Sequence, residues 1–220
     1  MNKMLTTVFA LAVASVTAIS SAQEIKGDAK AGQAKVDMCI GCHGIKGYQA
    51  SFPEVHKVPM ISGQGAKYIQ SALAAYKAGD RRHPTMRGVA ESLSDKDMAD
   101  VAAYYSASGV VEGATVPAEP SVKPSAQVQA LLTKGNCVSC HGANFDKPID
   151  PSYPKIAGQH ADYLFVALKA YKSAHPLVGR SNAIMGGVAK QFSNAELKAL
   201  AGYVGSLDTD LKTVPESRFR

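Results

Sequence analysis

Four cysteines and two of the six histidines fall into two identical spacings, Cys39-Ile40-Gly41-Cys42-His43 and Cys137-Val138-Ser139-Cys140-His141. A thiol, two residues, a second thiol and then an imidazole is the pattern that captures a haem covalently. Each thiol can add across one vinyl group to form a thioether. The two intervening residues let both sulfurs reach the vinyls along one edge of the ring, and the next residue brings an imidazole beneath the iron. Other chemistries use parts of this pattern. A thioredoxin-like redox pair needs neither the histidine nor a second copy. A shared Cys/His zinc site would have to gather pairs 98 positions apart. Disulfides, the default for an even cysteine count in an exported chain, leave the histidines unexplained.

The second iron ligand comes from a repeat. His43 matches His141 at an offset of 98. Pro59-Met60-Ile61-Ser62-Gly63-Gln64 matches Pro154-Lys155-Ile156-Ala157-Gly158-Gln159 at an offset of 95, and Tyr68 and Tyr76 match Tyr163 and Tyr171 at the same offset. Met86-Arg87-Gly88-Val89-Ala90 matches Met185-Gly186-Gly187-Val188-Ala189 at 99. Met185 is the only methionine after Cys137, and Met86 is its counterpart; they lie 44 and 43 positions past their histidines. A thioether is a soft ligand that favours Fe(II) and raises the reduction potential. Met38, Met60 and Met98 read as ordinary core methionines, because their counterparts are Asn136, Lys155 and Leu197. His56, His83, His160 and His175 are competing ligands. His83 and His175 precede the methionines by unequal distances and read as loop or surface residues. The expected ligand pairs are therefore His43 with Met86 and His141 with Met185, each pair in its own cavity.

Helices must position these groups. Asp28 can cap a first helix running into Cys39, and Ser125 a matching one before Cys137. Ile69, Leu73 and Tyr76 fall at helical spacing, as do Leu164, Leu168 and Tyr171. Ser94-Asp95-Lys96-Asp97 and Ser193-Asn194-Ala195-Glu196 read as capping boxes. Behind them Met98, Val101, Ala102 and Tyr105 make one apolar face, and Leu197, Leu200, Ala201 and Val204 the equivalent one. Both methionines are expected in the loop just before the last helix of their half. Strand signals are weak.

The chain has 220 residues and a net charge of +6, with the second half the more basic. The charges are mixed along the sequence, which argues against a nucleic-acid partner. Lys3 followed by the apolar run from Leu5 to Ile19 and the small residues Ser20-Ser21-Ala22 reads as an export leader cut after Ala22. The expected organisation is a leader over 1–22, a haem domain over 23–108, a proline-containing linker over 109–124 and a second haem domain over 125–220. Halves of about 90 residues are small for a purely apolar core, and a buried haem fills that need.

The two halves resemble class I cytochrome c domains. Their tandem arrangement, with P-x-[LI]-x-G-Q and M-x-G-V-A in each, is similar to the cytochrome c4 family over nearly all of the exported chain. The resemblance implies an all-α fold of two haem domains related by a pseudo-twofold axis, and two covalently bound haem c groups. It implies an electron carrier rather than an enzyme. It also implies that Pro59 and Pro154 offer their carbonyls to the axial histidines. Met60 and Ser62 depart from the more usual Lys and Ala, so the first haem's surroundings are expected to differ. The expected setting is the periplasm, as a monomer compatible with peripheral membrane association. The expected donor is a quinol-cytochrome c oxidoreductase or another redox protein, and the expected acceptor a terminal respiratory oxidase. The second expectation is an electron-accepting dihaem subunit of an oxidoreductase complex, such as flavocytochrome c sulfide dehydrogenase.

Overall fold

The computed structural model describes residues 25–113, 115–173 and 175–215. The leader expected over 1–22, with its cut after Ala22, lies outside the described residues. Among the described residues the chain folds into ten helices and one two-stranded antiparallel ribbon, and no helix is long and apolar enough to cross a membrane.

The first half opens with α1 (Ala29–Gln33), whose N-terminal N–H groups at Lys30 and Ala31 donate to the Asp28 carboxylate. This helix does not run into Cys39 as expected. It stops at Ala34, and α2 (Asp37–His43) starts afresh with the first Cys/His motif. At the break Val36 is wholly buried, and Gly32 sits so close to the later helix that carries Asp100 that an added Cβ would fall 2.1 Å from the Asp100 carbonyl oxygen. Then come β1 (Gln49–Ala50) and β2 (His56–Lys57), followed by α3 (Ala66–Ala78), α4 (Pro84–Glu91) and α5 (Asp95–Ala107).

The second half repeats the plan. Ser125 caps α6 (Ala126–Gly135), which ends at Asn136 in the left-handed conformation, φ 47°. Next are α7 (Val138–His141) with the second motif, α8 (Ala161–Ser173), α9 (Ala183–Lys190) and α10 (Asn194–Gly205). Both expected capping boxes form, Ser94 with Asp97 and Ser193 with Glu196. Both apolar faces are buried, Met98, Val101, Ala102 and Tyr105 on α5, and Leu197, Leu200, Ala201 and Val204 on α10. Each half has its own apolar core.

The methionines differ from expectation. Met86 and Met185 lie in the short helices α4 and α9, not in a loop. Pro84 opens α4 where a helix needs no N–H. His83 Nδ1 caps that helix by accepting from Met86 N at 3.4 Å, and Asn182 Oδ1 accepts from Met185 N at 2.9 Å. His83 thus lies, part-buried, in the loop before α4 and caps that helix, whereas His175 is exposed.

The halves are joined along a polar seam. Gln64 Nε2 donates to Lys155 O at 2.9 Å while its Oε1 accepts from Lys155 N at 2.9 Å. Gln159 does the same to Met60, at 2.8 and 3.0 Å. Lys57 N and Nζ both donate to Asp162. The C-terminal segment reaches back to the first half, with Lys212 N donating to Ser62 O at 3.0 Å and Lys212 Nζ to Gly109 O at 2.9 Å.

Candidate functional site

The helices α2 and α7 each present one histidine to the interior. His43 Nδ1 lies 2.9 Å from Pro59 O, and His141 Nδ1 lies 3.3 Å from Pro154 O. A carbonyl can only accept, so the proton sits on Nδ1 and Nε2 keeps its lone pair. Burial pushes both imidazoles below their ordinary range, against the pull of the proline carbonyls, and so keeps them neutral. A neutral imidazole with a fixed tautomer and a free Nε2 is a competent axial ligand for iron.

The thiols behave differently from a redox pair. No disulfide joins any of the four cysteines. Burial pushes Cys39 up to about 11 and raises Cys137 as well. A thioredoxin-like centre needs the opposite shift, toward thiolate.

All ten residues picked out from the sequence line one cavity of about 840 Å³: Cys39, Cys42, His43, Pro59 and Met86 from the first half, and Cys137, Cys140, His141, Pro154 and Met185 from the second. Two separate cavities were expected. The structure has one continuous space, because the seam brings the open sides of the two halves together. Of the competing histidines, His56 and His83 reach its wall, and His160 and His175 do not. His56 is engaged by its Nδ1 with Glu54 O at 2.8 Å.

The donor set fits two covalently attached haems. Paired thiols stand ready to add to vinyl groups, each pair beside a neutral imidazole, and a thioether stands on the wall of the same half. The apolar lining suits a porphyrin face; Ile69, Leu73 and Val101 serve the first half, and Leu164, Leu197 and Leu200 the second.

The cytochrome c family model matches residues 29–106 and 125–208, one copy in each half. Cytochrome c4 of Azotobacter vinelandii is 30% identical over 218 residues, covering 94% of this chain and 100% of its relative. The chain belongs to the cytochrome c4 family. A crystal structure of reduced recombinant cytochrome c4 from Pseudomonas stutzeri superposes with a TM-score of 0.59 at 31% identity, covering 83% of this chain and 100% of that one. A thiosulfate dehydrogenase electron acceptor of Stutzerimonas stutzeri is 29% identical over 174 residues, covering 77% of this chain and 78% of its relative. As in cytochrome c4, the two tandem domains bind two covalent haem c groups, and the molecule is an electron carrier.

The departure at Met60 and Ser62 has a local meaning. Met60 meets Gln159 through its backbone alone, so its side chain is free to change. Its counterpart Lys155 pairs with Asp210 at 2.8 Å, a link that Met60 cannot make. Ser62 Oγ donates to Ser108 Oγ at 3.2 Å, which the buried Ala157 cannot do. Sequence reasoning passed over Arg81 and Arg180, which also line the cavity with Tyr68, Tyr76, Tyr163 and Tyr171. The repeat carried a signal, since the two arginines match at the same offset of 99 as the methionines.

Proposed function

We propose that this dihaem cytochrome carries electrons in a bacterial periplasm to a terminal respiratory oxidase, with a quinol-cytochrome c oxidoreductase as donor. His43 and Met86 would hold the first iron, and His141 and Met185 the second. The iron supplies one-electron cycling between Fe(II) and Fe(III). The chain holds each ring by two cysteines, fixes the imidazole through Pro59 or Pro154, and keeps water from the apolar cavity. A histidine and a methionine held to each iron would leave little access for a substrate, which suits transfer rather than catalysis. The observation that carries this reading is the repeated histidine-to-proline-carbonyl bond, with a repeat-matched methionine on the wall of the same cavity.

The test uses the haem-loaded protein. Intact mass should exceed the bare chain by two haems. The reduced protein should be oxidised by membranes bearing a terminal oxidase, with saturation and with slowing at high salt, as expected for charge-steered docking. Absence of oxidation by any terminal oxidase overturns the acceptor assignment.

The second reading is an electron-accepting subunit of an oxidoreductase complex. It is favoured by the relative described as a thiosulfate dehydrogenase electron acceptor. Purification from its host with a stable enzyme partner, together with reduction by that enzyme's substrate, would establish it.

A further inference from the structure

Just after the second Cys/His motif the chain buries an acid that no base answers. Asp146 lies five positions past His141, in the loop that follows α7, and is 4% exposed. Its neighbour Phe145 is buried with a left-handed backbone, φ 64°. The Phe145 carbonyl accepts from Ile156 N at 2.9 Å and from Ala157 N at 3.1 Å, which pins this loop to the segment that follows Pro154 and Lys155.

Asp146 stands within hydrogen-bond reach of Asp210. Asp210 belongs to the C-terminal segment that returns to the first half through Lys212 and Ser62. Its Oδ2 accepts from Lys155 Nζ at 2.8 Å. Its Oδ1 is buried without a partner, and so is Asp146 Oδ1. Among the described residues, the charged groups that face Asp146 are Asp210, Lys155 and the exposed Lys147. No ion pair joins Asp146 to a lysine among those residues.

Two ionised carboxylates have no hydrogen to share and can only accept. Their charges repel strongly where water is excluded, and Lys155 offsets one charge, not two. A single proton held between them removes the repulsion and gives both orphaned oxygens a partner. Burial, and then the Asp210 charge, hold the Asp146 carboxyl above the ordinary carboxylate range against the pull of Lys155. A metal ion fits the place less well. No three His, Cys, Asp or Glu side chains converge to hold one among the described residues, and an ammonium already occupies one side of the pair.

We propose that Asp146 and Asp210 form a proton-binding site linked to the electron on the second haem. The proposal rests on the dihaem reading and not on the choice of oxidase. Lys155 directly follows Pro154, whose carbonyl holds His141, and Phe145, Pro154 and Lys155 all line the cavity. An electron arriving in the second half adds a negative charge nearby, which tightens the grip of the pair on a proton. The pair takes up one proton from water as the donor's electron arrives and returns it when that electron leaves for the acceptor. The carboxyl O–H is the one bond that forms and breaks. By the same linkage, the midpoint potential of the second haem falls as pH rises through the range in which the pair loses its proton. The first half lacks this device. Met60 stands in place of Lys155, and Tyr48, five positions past His43, is exposed. Rising pH therefore lowers the second potential relative to the first and moves the shared electron toward the first haem.

The experiment is potentiometric titration of the haem-loaded full chain over a range of pH, with each haem followed by its own shifted NMR signals. The unaltered protein is compared with Asp146→Asn, whose amide can still donate to Asp210. In the unaltered protein the second midpoint should fall with rising pH, by about 59 mV for every tenfold difference in proton affinity between the reduced and oxidised forms. Asp146→Asn should abolish that fall, hold the second haem at its acid value and leave the first haem's pH profile unchanged. A fall that persists in Asp146→Asn overturns the proposal, and so does an equal change at both haems. If Asp146→Asn fails to load two haems, infrared difference spectra of the unaltered protein decide. A carboxylic-acid band that grows on reduction, and that moves when the aspartates carry carbon-13, upholds the site. Absence of such a band overturns it. Failure of the unaltered chain to acquire covalent haem would instead sink the dihaem reading, and the proposal with it.

Discussion

Gln64 and Gln159 exchange the same pair of backbone hydrogen bonds in opposite directions across the seam. Each amide donates to the carbonyl and accepts from the N–H of the residue just after the other half's proline, Lys155 or Met60. Both glutamines are 3% exposed. Such reciprocity is what a pseudo-twofold interface requires. The bonded residues follow Pro59 and Pro154, whose carbonyls hold His43 and His141. The seam and the two cavity-lining histidines are therefore linked through one peptide unit in each half.

Gln64→Ala would leave the part-buried backbone N–H and carbonyl of Lys155 without these partners. The expected loss is about 1–3 kcal/mol for each group stranded in this way. Gln159→Ala should cost a similar amount by stranding Met60. Denaturant unfolding checks this. The double variant should also split a single transition into two, because the halves keep separate cores. Two single variants as stable as the unaltered protein would mean that the seam holds by other contacts.

Met86→Ala and Met185→Ala should each open one iron. The altered haem should lose its sulfur-to-iron absorption band, fall in potential and bind carbon monoxide. The partner haem should keep its band. An unchanged spectrum for Met86→Ala would point to His83, which caps α4 directly beside Met86. In the second half the cap is Asn182, so no histidine can take over there.

Much of the site was legible because it depends on residues close in sequence. The C-x-x-C-H spacing, both capping boxes and the buried stripes on α5 and α10 each fit within a few turns of helix. The methionines became legible through the repeat, which removes the ambiguity a lone methionine carries. What escaped depends on distant partners. The break between α1 and α2 goes with a contact between Gly32 and Asp100, 68 positions apart. Gln64 looked like a motif residue of no stated role, since its partner lies in the other half. The capping role of His83 was not legible because histidine is an uncommon helix cap. The merging of two cavities into one follows from the seam, and no local pattern encodes it.

Asp100 ties the start of the chain to α5, and its carboxylate should make the first half sensitive to acid. Its side chain is 2% exposed, and it accepts from Lys35 Nζ at 2.8 Å, from Asp28 N at 2.7 Å and from Lys96 Nζ. Hydrogen bonds from Lys35 and then Lys96 hold its carboxyl far below the ordinary carboxylate range, and Lys35 brings Asp97 down to about 2. Both folded values lie below the unfolded value of about 3.9, so the unfolded chain takes up protons first. The stabilisation is complete above about pH 4 and is lost as pH falls through the folded values. Asp100→Asn should lower stability at neutral pH by about 2 kcal/mol, in line with hydrogen bonds to charged groups. It should also flatten the acid limb of the stability curve. An acid limb as steep as in the unaltered protein would assign the acid sensitivity to other carboxylates.

The continuous cavity predicts that electrons pass between the two haems inside one molecule. Cysteines and histidines of both halves line the same space. The seam is fixed by the reciprocal glutamines, by Lys57 with Asp162 and by the Arg81–Arg180 bridge. The halves are thus held in one relative placement, not tethered loosely by the segment between α5 and α6. A fixed relative placement makes internal transfer a first-order event, independent of protein concentration. Two loosely tethered carriers would instead exchange by collision as well, at a rate that rises with concentration. Stopped-flow oxidation separates these cases, using Met86→Ala or Met185→Ala to set the two potentials apart so that each haem can be followed. The expected result is a fast exchange phase whose rate does not change when the protein is diluted tenfold. Loosening the seam with Gln64→Ala and Gln159→Ala together should slow that phase while leaving both absorption spectra intact. An exchange rate that falls in proportion to dilution would show that the molecule is a duplicated carrier with no internal relay.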